Sequence, residues 1–179
     1  MLLPFTLYMN HLVLIGMPGS GKSTIARALS GALSLPYLDG DTAIEKRTGE
    51  PLHATVARLG LDAFLRLEEE TILSLDLNHT VFAPGGSAVY SHAAMEHMKR
   101  DALTVYLRVP RDLLKKRAGP LSQRGVIIRD GQSFQDLCNE REPLYEQYAD
   151  LILDTDDLPV DALIEKLLPR IHQAGIVRS

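Results

Sequence analysis

The chain has 179 residues, a formal net charge of −4, and 45% apolar and 23% charged residues, enough for one well-buried α/β core and too little for two. An acidic balance offers no general field to a nucleic-acid backbone, so nucleic acid is not an expected partner and any phosphate recognition has to be local. No run reaches the length of a membrane span, and the one cysteine, Cys138, cannot close an intrachain disulfide; a buried structural thiol in a reducing cytoplasm is the expectation.

Residues 1–8 are apolar but lack a basic flank and contain Pro4, so they read as a short extension rather than a signal peptide, ahead of a single domain at 9–179. The apolar run Leu12–Ile15 predicts a strand, and Gly16-Met17-Pro18-Gly19-Ser20-Gly21-Lys22-Ser23 follows it directly, matching G-x-x-x-x-G-K-[ST]. Without a Cβ at Gly16 and Gly21 the intervening backbone can curl and aim its N–H groups inward, and the next helix adds its positive N-terminal end. That concavity suits a polyphosphate. Gly19, Ser20 and Thr24 belong to the same cradle, an exposed Lys22 is expected beside the β- and γ-phosphates, and the Ser23 hydroxyl is expected on a bridging Mg²⁺.

A helix over Lys22–Leu33 carries the stripe Ile25, Leu29, Leu33, and a second strand near Pro36–Leu38 ends in Asp39-Gly40-Asp41. Each carboxylate suits an N-cap for a helix at Thr42–Thr48, or a site group at the strand end. The stretch Leu61–Leu75 is strongly helical, and its central Glu68-Glu69-Glu70 reads as a solvated face. A third strand at Thr80–Ala83 leads into Pro84-Gly85-Gly86-Ser87, which is either an ordinary turn or one that lets a small molecule reach the backbone. Further strands at Leu103–Leu107 and Leu151–Leu153, with helices near Arg111–Lys116, Phe134–Tyr148 and Val160–His172, complete a βαβ series. Such a series predicts a three-layer α/β fold: a five-stranded parallel sheet, helices on both faces, and ligands at the C-terminal strand ends. The Gly-, Pro- and Arg-rich stretch within 117–130 reads as a lid loop. The six histidines show no metal-ligand spacing.

Taken together, the P-loop, the strand ending in Asp39-Gly40-Asp41 with Ile44 to Gly49 after it, the Gly85-Gly86 turn, Glu140-Arg141-Glu142-Pro143-Leu144-Tyr145 and Leu153-Asp154-Thr155-Asp156 resemble the shikimate kinase family, in order and over almost the whole chain. The resemblance implies a nucleoside-monophosphate-kinase-like P-loop fold, Mg-ATP as donor, and γ-phosphoryl transfer to a hydroxyl of a small anionic metabolite by a cytoplasmic monomer. It further implies that Lys22 and Ser23 serve phosphate and metal, Asp39 lies near the metal, Asp41 binds the acceptor hydroxyls with Gly85 and Gly86 nearby, Arg141 holds the acceptor carboxylate, Arg117 stacks on adenine, and the Asp154–Pro159 segment forms the adenine-side loop. A carboxylate can orient or deprotonate a hydroxyl, and an arginine fork suits a carboxylate.

Three departures fall on the acceptor or lid side. Leu65 stands where the family's F-R-x-x-E pattern has a second carboxylate-binding arginine, with Arg66 about 100° round the helix. Ser87 replaces a third glycine, and Gly119-Pro120-Leu121-Ser122 replaces R-P-L-L, leaving Arg124 or Arg129 as substitutes. Shikimate is therefore the leading acceptor, with a hydroxy amino acid or sugar acid as an alternative and a non-catalytic nucleotide-binding module as a third reading.

Overall fold

The computed structural model of the chain describes residues 9–118, 129 and 131–176. Strands β1 (His11–Ile15), β2 (Tyr37–Asp39), β3 (Val81–Ala83), β4 (Ala102–Arg108) and β5 (Leu151–Asp154) form one sheet in the order β2-β3-β1-β4-β5. Every neighbouring pair is parallel. Among the described residues eight α-helices lie between and after them: α1 (Lys22–Leu33), α2 (Gly40–Thr48), α3 (Leu52–Leu59), α4 (Leu61–Leu73), α5 (His92–Lys99), α6 (Arg111–Ala118), α7 (Phe134–Tyr148) and α8 (Val160–Gln173).

The period-two alternation of the central strand makes the three layers. Val13 and Ile15 enter one core with Phe82, Tyr106, Met95 and Leu137, beneath α4, α5 and α7. Leu12 and Leu14 enter the opposite core with Ile25, Leu29, Leu163 and Leu167, beneath α1 and α8. A sheet covered on both faces accounts for strands that read as continuous apolar runs. Helices α2, α3 and α4 make a smaller cluster of their own around Ile44, Leu52 and Phe64, and this cluster walls one side of the site.

The predicted α1 and α7 coincide with the observed helices, and the other predicted elements shift by one to two residues at their ends. Strand β2 starts at Tyr37 because Pro36 has no N–H for the ladder, although its carbonyl accepts from the Val81 N–H at 2.8 Å. Helices α3 and α5 have only eight residues each and were not anticipated. In α5 the Ser91 side chain caps the Ala94 N–H, and Ala94, Met95 and Met98 are buried. Gly119 to Ser122, Arg124 and the extension at 1–8 lie outside the described residues.

Candidate active site

Parallel strands deliver their C-terminal ends to one edge, and the sequence-predicted residues gather there. The P-loop follows β1, Asp39 ends β2, Pro84-Gly85-Gly86 follows β3, and together with Arg141 from α7 they line a cavity of about 270 Å³.

At its P-loop end, Gly21 takes φ +89° and occupies the N-cap of α1 with no side chain closing the helix end, so the first N–H groups of α1 face the loop. Lys22 is buried rather than exposed as the sequence suggested, at 9%. Its side chain folds back along the loop, where Nζ donates to the carbonyls of Gly16 at 2.8 Å and Met17 at 3.1 Å. Burial lowers its pKa to about 8, with the Asp41 charge opposing. Ser20 contributes main chain: its N–H donates to Met17 O at 3.1 Å while its hydroxyl is buried beneath the loop.

Asp39 fulfils both readings offered by the sequence. Oδ1 accepts the Thr42 N–H at 3.1 Å as the N-cap of α2, and Oδ2 accepts from Ser23 Oγ at 3.0 Å and Tyr37 OH at 2.6 Å. Burial works against its charge, but the Tyr37, Thr42 and Ser23 donors outweigh it and hold the carboxyl below its ordinary value. An ionised carboxylate beside a serine hydroxyl is a donor set that fits Mg²⁺, which takes one or two protein oxygens and fills its octahedron with water and phosphate oxygens. Among the described residues there is no larger group of His, Cys, Asp and Glu suited to a metal.

Asp41, in the first turn of α2, is solvent-accessible at the cavity mouth, and desolvation by the surrounding walls, reinforced by the Asp39 charge, pushes its pKa up to about 6. Opposite it stands a residue that the sequence reading placed in solvent: Glu68 is 3% exposed and lines the cavity. Its Oε2 accepts from Ser87 Oγ at 2.6 Å. Burial raises its pKa to about 7 despite that hydrogen bond. The signal was present in the spacing, because Phe64, Glu68, Thr71 and Ile72 recur on one stripe of α4, and all four are buried. The bare Cα of Gly85 lets both carboxylates approach the turn: a Cβ would lie 2.3 Å from Glu68 Oε1 and 3.1 Å from Asp41 Oδ1, so any side chain there requires the Glu68 carboxyl to turn.

Arg141 is 2% exposed. Nε donates to Tyr90 OH at 3.0 Å, and the guanidinium lies 4.9 Å over the Tyr90 ring. Burial disfavours its charge, but the oxygens of Tyr145, Tyr90 and Glu68 more than offset this and raise its pKa. A Cβ on Gly86 would stand 3.1 Å from Arg141 Nη1, and Tyr145 OH donates to Gly86 O at 2.6 Å, tying the turn to α7. Tyr90 is absent from the sequence reading, which registers Ser87 only as the residue that replaces a third glycine and Glu68 only as part of a charged face.

Arg117 reaches a second crevice of about 220 Å³ on the other side of the P-loop, with Gly19, Thr24, Thr155 and Asp156, and its Nη2 donates to Asp157 at 2.8 Å. Arg129 sits elsewhere: it pairs with Glu140 at 3.4 Å and lines a narrow crevice with Leu61, Leu65, Tyr90 and Arg141. Leu65 is half-buried against the Ile44, Leu52, Phe64 cluster and belongs to that crevice, while Arg66 is exposed. Cys138 is buried, and burial raises its thiol pKa to about 11, as an inert structural role requires.

The family model described as shikimate kinase matches residues 18–172. The chain belongs to the shikimate kinase family. A shikimate kinase from Mycobacterium avium is 36% identical over 170 residues, covering 93% of this chain and 96% of that protein. One from Pseudoalteromonas atlantica is 34% identical over 168 residues, covering 92% and 98%. The structure of a shikimate kinase from Acinetobacter baumannii in complex with shikimate superposes with a TM-score of 0.82 at 28% identity, over 92% of this chain and 94% of that one. As a member of the shikimate kinase family with this P-loop architecture, the chain is a small-molecule kinase that phosphorylates a hydroxyl group.

Proposed function

We propose that the protein transfers the γ-phosphoryl group of Mg-ATP to a hydroxyl of a small carboxylate-bearing metabolite, with shikimate the acceptor that family membership favours. The observation that supports this is the common cavity of Lys22, Asp41 and Arg141, where an ammonium, a carboxylate and a guanidinium surround one space, groups suited to a phosphate, a hydroxyl and a carboxylate. In this reading the backbone of Gly16 to Thr24 holds the phosphates, and Lys22 exchanges its loop carbonyls for phosphate oxygens, stabilising charge that grows in the transition state. Ser23 and Asp39 would hold Mg²⁺, which when bound neutralises charge on the β- and γ-phosphate oxygens. Asp41 receives the acceptor hydroxyl and directs its oxygen in line with the γ-phosphorus, Arg141 fixes the acceptor carboxylate, and Arg117 lies against the adenine with the Asp154–Pro159 segment.

The test is an ADP-release assay with ATP, Mg²⁺ and shikimate, with the product read by phosphorus NMR. Acceptor-dependent ADP formation and one new phosphomonoester are expected. ADP release that is indifferent to every carboxylate-bearing alcohol offered would sink the reading and leave a nucleotide-binding module. A second acceptor class is favoured by Leu65, which supplies no second cation for the acceptor, and by Glu68, which adds a carboxylate to the cavity.

A further inference from the structure

Resting on that kinase reading, we propose that the cavity takes a hydroxylated α-amino acid as a phosphoryl acceptor in addition to shikimate, its ammonium on Glu68, its carboxylate on Arg141 and its hydroxyl at Asp41. Glu68 is 3% exposed, and its Oε2 is satisfied by Ser87, whereas Oε1 faces the space over Gly85. It takes part in no salt bridge among the described residues. A carboxylate held out of water with a single hydroxyl donor is costly, and a ligand cation is the partner that relieves it.

Among the described residues Arg141 and Lys22 act on Glu68 electrostatically, but neither forms a salt bridge with it. Leu65, one turn before Glu68 on α4, is apolar, Arg66 is exposed, and Lys22 is committed to the carbonyls of Gly16 and Met17. Asp41 Oδ1 also lies close to the same point over Gly85, at 3.1 Å, so the negative potential there comes from two carboxylates. At the adjacent residue of the turn, Gly86, the nearest polar atom is Arg141 Nη1 at 3.1 Å. Neighbouring positions of one turn thus present an anion and a cation side by side, the complement of an α-carbon that carries both an ammonium and a carboxylate. Shikimate, a carboxylate with three hydroxyls and no amine, meets the Arg141 half of that pair and leaves the Glu68 half to a proton or a hydroxyl.

In the transfer, the side-chain hydroxyl oxygen of the amino acid forms a bond to the γ-phosphorus of ATP. The bond from that phosphorus to the β-bridging oxygen breaks, its electron pair leaves with ADP, and the hydroxyl proton passes through Asp41 to solvent. The products are ADP and an O-phospho amino acid.

The experiment compares kcat/KM for L-homoserine, L-serine and L-threonine with that for shikimate and for 4-hydroxybutyrate, which keeps a carboxylate and a hydroxyl but has no amine. At least one amino acid is expected to be phosphorylated, and 4-hydroxybutyrate to lag homoserine by about 10-fold or more. Glu68→Gln, which keeps the shape of the side chain beside Ser87, is expected to lower the amino-acid value about 10- to 100-fold, a loss about 10-fold larger than any change in the shikimate value. Shikimate turnover with no amino-acid turnover overturns the proposal and leaves the kinase reading standing. Equal losses for both acceptors in Glu68→Gln overturn it in favour of Glu68 as a positioning residue for the Gly85 turn. Turnover of neither class overturns the kinase reading and the proposal with it.

Discussion

The phosphate end of the cavity comes from one continuous stretch, Gly16 to Thr24, joined by Asp39 at the end of β2, whereas the acceptor end gathers Asp41, Glu68, Ser87, Tyr90 and Arg141 from segments spread over the chain. Backbone groups and a helix N-terminus dominate the first, so its chemistry depends on chain geometry. Side chains dominate the second: two carboxylates with raised pKa values face one buried arginine. Altering the acceptor end by a single side chain therefore changes its charge balance without touching the phosphate cradle. The departures at positions 65 and 87 both fall beside Glu68, which is where such a change has the most effect.

The comparison breaks most completely at Lys22. Lys22→Ala is expected to reduce transfer to every acceptor by ~10³-fold or more, because it removes a charge that acts on the transferred group whichever hydroxyl attacks. Steady-state rates with two acceptors check this; a variant that kept near-parental rates with either one would show that the two ends do not divide the work as described. Circular dichroism is expected to show a folded protein, since Ala keeps the helix start.

Next come the two carboxylates of the β2 end, which lie two residues apart but belong to different ends. Asp41→Asn is expected to lower kcat by about 10²–10⁴ with ATP affinity nearly unchanged, the range for a positioned acid–base group. Asp39→Asn, which retains an N-cap oxygen for α2, is expected instead to raise the Mg²⁺ concentration needed for half-maximal rate. Nucleotide titrations with each variant decide it, and equal loss of Mg-ATP affinity in both would erase the boundary between the ends.

Glu68 allows the acceptor end to be probed by stability. Its native pKa of about 7 stands above the ordinary 4.5, so across that window the folded protein holds a proton that the unfolded chain has released. Stability is present below the lower value and is lost as pH rises through the upper one. Asp41, Lys22 and Arg141 face the same group, and Glu68→Gln leaves them in place. Urea unfolding at about pH 5 and about pH 8 is expected to show a drop that is ~1–3 kcal/mol larger in the parent than in Glu68→Gln. Identical pH slopes would mean that the carboxylate is satisfied in the ligand-free protein.

The smallest effect is expected at Leu65, on the rim. Leu65→Arg would place a guanidinium in the crevice beside Arg141, one turn before Glu68. Shikimate kcat/KM is expected to rise about 10-fold as a second carboxylate ligand is gained, and an amino-acid acceptor to lose a similar factor as Glu68 gains a competing partner. Movement of both values in the same direction would refute the link between position 65 and acceptor charge.

How much could be read before the structure follows the same division. The P-loop, α1 and Asp39 were legible because strand, turn, cap and amphipathic stripe are local patterns, and each needs only neighbouring residues. Asp41, Gly85, Gly86 and Arg141 were reached through the resemblance, and they do meet in one cavity. Glu68 was assigned to a solvated face because it sits among Glu69 and Glu70, yet Phe64 four residues earlier marks it as inward. Tyr90 lies in a 3₁₀ turn too short to carry periodicity, and Ser87 gained meaning only once α4 was known to pass beside it. Helices α3 and α5 received no range because eight residues give barely two turns of pattern, and α3 in addition has no side-chain cap to mark its start.

The bare Cα of Gly85 also sets the mutational tolerance of the acceptor end. Even the smallest side chain there would meet Glu68 Oε1, so alanine already requires the Glu68 carboxyl to turn, and a larger residue requires more. A change at 85 becomes acceptable only after 68 has shortened or turned away. A saturation library of this gene should therefore show position 85 as intolerant on its own, with tolerance reappearing in double variants that also replace Glu68, a sign of epistasis readable from growth or binding counts without any kinetic measurement.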